Sequence, residues 1–313
     1  MTYPITQTQW LGHIEREYMD TFLKEGGSAV KIAIVEDQNR SPLVQKLKSS
    51  SQDRNYLFLQ LNAIKSRVHM PQDVFFSMAE QIDWMNLAQK VVHNLLSRDF
   101  NIPDQVDEEM NLIEQVAQAN YLDTQMVLLE LRPKIQEEIA KNPNMAKPFR
   151  IAMTHLCLGV RDGGSSCQPL LDWLTGTNTR ISNVKPFQIH TPINRTTARY
   201  FIESAVYWIR IAGYAGTVLL LDNQRVTLAK NPQDGYRFYS KAMTMDHYEL
   251  LREFIDDIDR LSGTLLVTLS GNEFIEMDSP KGWAIYPALR TRVMDDVRDK
   301  HRANPVASLV RLS

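Results

Sequence analysis

The 313-residue sequence contains only two cysteines, Cys157 and Cys167, ten positions apart. Two cysteines without a second pair are too few for a zinc site and do not make a convincing disulfide framework. We therefore expect no metal site and two reduced thiols, as in a cytoplasmic protein.

The sequence also lacks an excess of charge and any long apolar run. Its 35 basic and 37 acidic residues give a net charge of −2, so nucleic acid could be held only by a local basic patch. No basic N-terminal segment leads into an apolar stretch, and no window approaches the roughly 18 apolar residues of a membrane span. These absences favour a cytoplasmic location away from membranes.

Short apolar runs alternate with helical periodicity on both sides of the middle of the chain. We predict strands at 29–35, 56–63, 217–223 and 263–271, and helices at 8–24, 42–50, 196–214 and 245–261. Unbroken apolar strands separated by helices are typical of a parallel sheet covered on both faces. Apolar positions three and four apart predict a mostly helical insert at about 71–197. The predicted fold class is therefore α/β, a parallel sheet flanked by helices.

The predicted strand at 217–223 has the form of a Walker B strand. It delivers Asp222 to the carboxyl edge of the sheet, where Mg²⁺ and phosphates would lie. The next residue, Asn223, cannot take up a proton as the carboxylate of a hydrolytic ATPase does. Many α/β proteins end a buried strand in aspartate, so an ordinary structural Asp222 stays an equal alternative.

Three further polar residues follow the last predicted strand. Asn272 stands where a sensor for a γ-phosphate would stand, with a turn asparagine beside Gly271 as the alternative. Arg290 and Arg292 lie two apart on a helix-like segment and could face a phosphate, DNA or a neighbouring subunit. Solvated surface arginines are the alternative for this pair.

The glycine-rich phosphate loop GxxxxGK[ST] has no match in the sequence. The nearest segment, 25–32, contains Lys31 but lacks the glycine and hydroxyl at the other key places. Its lysine also falls inside the predicted strand 29–35. The sequence therefore predicts that the phosphate cradle is missing.

Six segments, taken in order, are similar to one known family. They are GSAVKIAIVE (27–36), LLDWLTG (170–176), AGYAGTVLLLDN (212–223), LLVTLSGNEFIE (265–276), KGWAIYPALRTRV (281–293) and NPVASLVRL (304–312). Together they resemble the P-loop ATP-binding proteins of bacterial anti-phage BREX loci, the BrxD-like group. The resemblance implies a P-loop NTPase fold of the AAA-like kind, with a single domain over 1–313.

Placed on the Walker A loop of that family, residues 35–42 differ at every key position. Val35 and Arg40 replace the two glycines, Ser41 replaces the lysine, and Pro42 replaces the hydroxyl residue that binds Mg²⁺. These side chains disfavour the close backbone approach of a phosphate and remove its cation. The chain also ends where relatives usually continue into a helical lid. We therefore expect a degenerate member with erased Walker A and no C-terminal lid.

The resemblance and these losses predict a pseudo-ATPase that is a scaffold or regulatory subunit of a BREX-like defence system. We expect no catalytic residue and no ATP or Mg²⁺ cofactor. Expected partners are other subunits of the system: an active ATPase, a helicase or a DNA-modifying protein. Such a scaffold needs an exposed aromatic surface, for which the candidates are Trp84, Tyr121, Trp173 and Trp283.

Two alternatives come from other functional classes. A DNA-binding subunit could use the basic segment 298–302 together with Arg290, Arg292 and Arg311, although acidic residues interrupt this patch. A residual ATP-binding protein could take a noncognate nucleotide or complete its site with a loop from a partner.

Overall fold

The structure, a computed structural model, describes residues 4–103, 110–294 and 304–313. The chain divides into two compact units. One unit combines Met1–Val74 with Tyr214–Ser313, and the other is Phe75–Gly213.

The N-terminal part of the chain alternates strands with helices. It contains β1 (Pro4–Ile5), α1 (Gln7–His13) with a π-helical continuation (Ile14–Phe22), β2 (Ala29–Val35), α2 (Asp37–Asp53) and β3 (Tyr56–Asn62). Thr6 caps α1 in a capping box with Gln9, which pairs two backbone N–H groups that the first helical turn leaves open.

The described residues in the middle of the chain form helices joined by turns and irregular segments, without a strand. It contains α3 (Pro71–Ala79), α4 (Trp84–Leu96), α5 (Leu112–Ala119), α6 (Thr124–Ile135) with a π-helical turn (Gln136–Ala140), α7 (Lys147–Gly159), α8 (Gln168–Thr175), α9 (Ile181–Val184) and α10 (Ala198–Ile211).

Aromatic side chains fill the core of this helical unit. Trp84 packs edge-on against Phe149 with ring centroids 5.9 Å apart, and Trp173 packs against Phe201 at 5.5 Å. Both tryptophans are buried, so the prediction that they are exposed anchors is wrong. They lie on the apolar faces of α4 and α8, which this unit needs for its own core. Tyr121, by contrast, is 98% exposed.

The C-terminal part returns to alternating strands and helices. It contains β4 (Gly216–Asp222), α11 (Gln224–Thr227), α12 (Lys241–Asp256), β5 (Thr264–Ser270), α13 (Pro287–Val293) and β6 (Leu309–Leu312). β5 is buried along its whole length, and β4 is buried up to its last residue, Asp222.

All six strands form one parallel sheet in the order β1-β6-β2-β5-β4-β3. The predicted α/β class, a parallel sheet flanked by helices, is confirmed. One core cluster joins helical residues to inward-facing strand residues, and it includes Trp10, Ile14, Leu43, Leu47, Ala33, Val35, Val218, Leu220, Leu265 and Val267. Because β2, β5 and β4 are parallel neighbours, their carboxyl ends lie side by side at one edge.

The composition also led to predictions about the two cysteines and about membrane-spanning helices. Cys157 and Cys167 are both free and buried, and burial raises the pKa of both thiols. Among the described residues, no helix combines the length and the apolar character that crossing a bilayer requires.

Candidate functional site at the carboxyl edge of the sheet

The candidate site lies where β2, β5 and β4 end side by side. In parallel α/β sheets this edge is the usual place of a ligand. The start of α2 follows β2, Asn272 follows β5, and Asp222 is the last residue of β4. The fold therefore brings the three predicted motif positions to one edge.

Helix α2 leaves no loop between itself and β2. The helix begins at Asp37, and Glu36 is the single connecting residue, with extended backbone angles. The predicted helix at 42–50 therefore starts five residues too late, and Pro42 lies inside the helix instead of in its first turn. The segment 35–42 has no glycine to permit a left-handed turn, and Asp37 favours a helix start here through its charge at the positive end of the dipole.

Because α2 starts directly after the strand, no loop wraps backbone N–H groups around an anion. A phosphate cradle needs several N–H groups of a loop turned toward one point. The exposed carboxylates of Glu36 and Asp37 lie at this helix start instead, and they add negative charge where a triphosphate would have to bind.

Arg40 is the central residue of the site. Its side chain is buried, with Nη1 3.1 Å from Oδ1 of Asp222 and Nε 3.3 Å from Oδ1 of Asp37. Gln224 closes the cluster: its backbone N–H donates to Asp222 at 3.1 Å, and its side-chain amide donates to Asp37 at 2.5 Å. The carboxylate at the end of β4 is therefore neutralised by a cation of the chain itself.

From the sequence, Arg40 was interpreted only as the replacement of a Walker A glycine. Its ion pair with Asp222 was not predicted. Arg40 and Asp222 are 182 positions apart. No local spacing signals a contact over that distance, and only the neighbouring ends of β2, β5 and β4 bring the two residues together.

Asn223 points into the protein. Its side chain is fully buried, and neither its amide oxygen nor its amide nitrogen has a hydrogen-bond partner among the described residues. Its backbone N–H donates to the carbonyl oxygen of Leu269 at 2.8 Å. The side chain of Asn223 therefore has no contact with solvent at this edge of the sheet.

Asn272 and Arg311 form a second polar contact at this edge. Nη2 of Arg311, on β6, donates to Oδ1 of Asn272 at 3.1 Å. Asn272 begins a short 3-10 turn that follows β5. The asparagine therefore has an internal partner, and its role as a phosphate sensor stays a prediction.

Arg290 and Arg292 both lie on α13, and each side chain contacts a different residue. Arg292 is paired with Asp256 and donates to the carbonyl of Ala288 at 3.1 Å, while Arg290 lies over the ring of Trp283, 5.9 Å from its centroid. Within the described ranges, neither arginine forms an ion pair or hydrogen bond with the Arg40 cluster. The basic segment 298–302 of the DNA-binding alternative lies outside the described residues.

Lys31, from the rejected phosphate-loop match, is a strand residue. It is buried in β2, and its Nζ donates to the carbonyl oxygens of Val306 at 2.5 Å and Ala307 at 3.3 Å. Its ammonium group holds the segment before β6 and lies away from the carboxyl end of β2.

Fold and edge together define an α/β protein with a parallel sheet, at whose carboxyl edge Asp222 is paired with Arg40. The family model of the BREX system ATP-binding protein BrxC/D matches residues 89–313, well over half of the chain. The chain belongs to this family, as the sequence resemblance predicts. No curated protein and no solved structure matches it. The matched range contains Asp222, Asn223 and Asn272 but does not contain residues 35–42.

Proposed function

We propose that this chain is a non-catalytic subunit of a BREX anti-phage system, a pseudo-ATPase with a P-loop fold of the AAA-like kind. The observation that carries the proposal is the buried ion pair between Arg40 and Asp222. The family supports membership of the defence system, and the ion pair supports the loss of the nucleotide site.

The ion pair competes directly with Mg²⁺. Mg²⁺ binds in near-octahedral geometry through carboxylate, phosphate and water oxygens. At Asp222 one oxygen, Oδ1, already accepts from Arg40 and from the backbone of Gln224. A metal ion would have to displace the guanidinium, because two cations cannot share this half-buried carboxylate without repulsion.

Displacement of Arg40 costs about as much free energy as weak nucleotide binding supplies. Breaking a buried ion pair by removing one partner costs about 3–5 kcal/mol. A ligand with a millimolar dissociation constant supplies only about 4 kcal/mol of binding free energy at the standard state. Among the described residues, no lysine and no loop of backbone N–H groups adds affinity at this edge. The cost of displacing Arg40 therefore cancels almost all of the binding free energy of a nucleotide there.

A subunit without catalysis has its role in assembly. We propose that it is a scaffold or regulator, and that its partners are the ATPase, helicase or DNA-modifying components of the same system. The free, buried thiols of Cys157 and Cys167 suit a reducing cytoplasm. We propose no nucleotide or metal cofactor.

The test is a phage-plating assay with the complete defence locus and the substitution Asp222→Asn. Asparagine keeps an oxygen that accepts from Arg40 but loses the charge that a magnesium site requires. We expect defence to fall to the unprotected level when the gene is deleted and to stay within about twofold of wild type in Asp222→Asn.

Asp20→Asn is the matched control, because Asp20 forms a surface ion pair with Arg54 at 3.1 Å, far along the chain from the candidate site. Immunoblots establish equal protein levels. Loss of defence in Asp222→Asn at normal protein level, with Asp20→Asn active, would overturn the non-catalytic role.

A further inference from the structure

The helical unit 75–213 contains a cavity that the proposed function does not use. Its volume is about 460 Å³, within the range of roughly 300–1,000 Å³ that is usual for small-molecule sites. Its walls come from α6, α7 and the segments that follow them, and the lining residues are Leu128, Arg132, Ile135, Gln136, Thr154, His155, Leu158, Gly159, Arg161, Ser166, Cys167 and Phe187.

Two exposed arginines bring positive charge to this cavity. The side chains of Arg132 and Arg161 have no hydrogen bond or ion pair with any residue that the structure describes. None of the lining residues is acidic, and the nearby carboxylate of Asp162 accepts from the backbone N–H of Gly164 at 3.1 Å. Other arginines of the same unit are paired, as Arg98 is with Glu138 and Arg199 with Glu203. Two guanidinium groups without a partner among the described residues, at one concave site, favour an anion, and phosphate matches their planar, bidentate donors.

The remaining wall suits a flat, largely apolar group. Leu128, Ile135 and Leu158 supply aliphatic surface, and the rings of His155 and Phe187 meet edge to face with centroids 5.1 Å apart. Burial lowers the pKa of His155 below its ordinary value, so its imidazole is neutral near pH 7 and adds no charge. A neutral imidazole beside a phenyl ring can contact an aromatic ring and still form a hydrogen bond with it.

The turn after α7 fixes the floor of the cavity. Gly163 and Gly164 both have left-handed backbone angles, with φ of +65° and +82°. At Gly159 a Cβ atom would lie 2.4 Å from Sγ of Cys167, so any side chain there would push Cys167 away. Arg161 and Ser166 lie on the two short 3-10 turns on either side of Gly163 and Gly164, Val160–Asp162 and Ser165–Cys167.

We propose that this cavity binds a mononucleotide, with its phosphate on Arg132 and Arg161 and its base against the wall that contains Phe187 and His155. The binding needs neither Mg²⁺ nor the carboxyl edge of the sheet. It is therefore separate from the nucleotide site that the proposed function describes as lost, and either can fail without the other.

The experiment is calorimetric titration of the full chain in EDTA with AMP, GMP, CMP and UMP, beside adenosine and inorganic phosphate. We expect saturable binding of at least one mononucleotide and at least about tenfold weaker binding of its separate parts, because the phosphate and the base contact different walls. The absence of binding by all four mononucleotides would overturn the proposal.

Variants then place the binding site. Arg132→Ala and Arg161→Ala should each weaken binding about tenfold or more, since each removes a charged donor to phosphate. Arg180→Ala is the control of equal charge: Arg180 is an exposed arginine of the same unit that does not line the cavity. Arg132→Lys should restore part of the loss, because it keeps the charge but not the bidentate geometry.

The two proposals give different failures. Nucleotide binding that is unchanged in the Arg132→Ala/Arg161→Ala double variant overturns the cavity site. If a nucleotide binds only when Mg²⁺ replaces EDTA, and Asp222→Asn abolishes that binding, the nucleotide lies at the sheet edge and the pseudo-ATPase proposal fails.

Discussion

Arg40 and Asp222 lie in an environment that few charged side chains share. The side chain of Arg40 is only 6% exposed and that of Asp222 is 19% exposed. Two opposite charges in this buried environment depend on each other. Little water is present to screen their attraction, or to solvate one charge when the other is removed. Removing one partner of this pair therefore costs more stability than removing one partner of a surface pair.

The first prediction concerns this pair. Arg40→Ala leaves Asp222 without its cation, so we expect the free energy of unfolding to fall by about 3–5 kcal/mol. Arg54→Ala, which removes the more exposed pairs with Glu15 and Asp20, should cost less than about 1 kcal/mol. Urea denaturation of both variants measures the difference. Equal losses would show that the Arg40 pair is not buried as described.

A second residue-scale prediction concerns pH and His247. This side chain is fully buried, its Nδ1 lies 2.9 Å from the carbonyl oxygen of Val68, and its Nε2 has no partner among the described residues. Burial lowers its pKa to about 4, whereas an unfolded chain titrates histidine near about 6.5. Between these values the unfolded state binds more protons, so acidification through this window destabilises the folded protein.

The size of this effect is up to about 1.4 kcal/mol for each pH unit between pH 6.5 and pH 4. In His247→Gln this component is absent. We expect the unfolding free energy of wild type, measured by urea denaturation at several pH values, to fall more steeply on acidification than that of the variant. Parallel pH profiles would contradict the buried neutral state of His247.

The sequence predicted the positions of single residues correctly only where those positions follow directly from the pattern of strands. The positions of Asp222 and Asn272 at one edge follow from two apolar strands and the parallel rule. The partner of Arg40 does not follow from any local pattern, because the contact depends on the sheet order. The same limit applies to the cavity arginines Arg132 and Arg161, which belong to different helical segments.

At the scale of elements, four of the six described strands were predicted almost to the residue, whereas β1 and β6 were not predicted. Predicted strands at 29–35, 56–63, 217–223 and 263–271 correspond to β2, β3, β4 and β5 with end points that differ by at most one residue. Long apolar runs bounded by turn residues leave little alternative. The predicted start of α2, at Pro42, was wrong. Proline suits a first helical turn, and in the prediction this preference outweighed the polar residues that precede Pro42.

Helix α2 carries a prediction of its own, since Pro42 is its sixth residue. A proline there cannot donate to the carbonyl of Gln38, and interior prolines cost a helix about 3 kcal/mol. We expect Pro42→Ala to stabilise the protein by about 1–3 kcal/mol. Pro287→Ala is the control, because Pro287 is the first residue of α13, where proline is favourable.

The thermal midpoints of both proline variants measure this effect. A rise for Pro42→Ala alone supports a continuous helix from Asp37 to Asp53. No change, or a loss of stability, in Pro42→Ala would indicate that 35–42 does not continue as helix, and the argument against a phosphate loop would lose its structural basis.

At the scale of the whole molecule, the chain combines a parallel-sheet unit with a helical unit, each with its own candidate site. The family places the protein among BREX system ATP-binding proteins. The carboxyl edge of the sheet carries the ion pair between Arg40 and Asp222. Whether 1–313 is a single domain with an insert stays a prediction of the sequence, as does the identity of the partners.

The most direct test of the account is calorimetric titration of wild type and Asp222→Asn with a nonhydrolysable ATP analogue, with and without Mg²⁺. The concentrations must detect a dissociation constant of about 1 mM. The account predicts that no part of the heat requires both Mg²⁺ and Asp222. Saturable binding tighter than about 100 μM that needs Mg²⁺ and disappears in Asp222→Asn would contradict the account, because Arg40 would then yield its place to a metal.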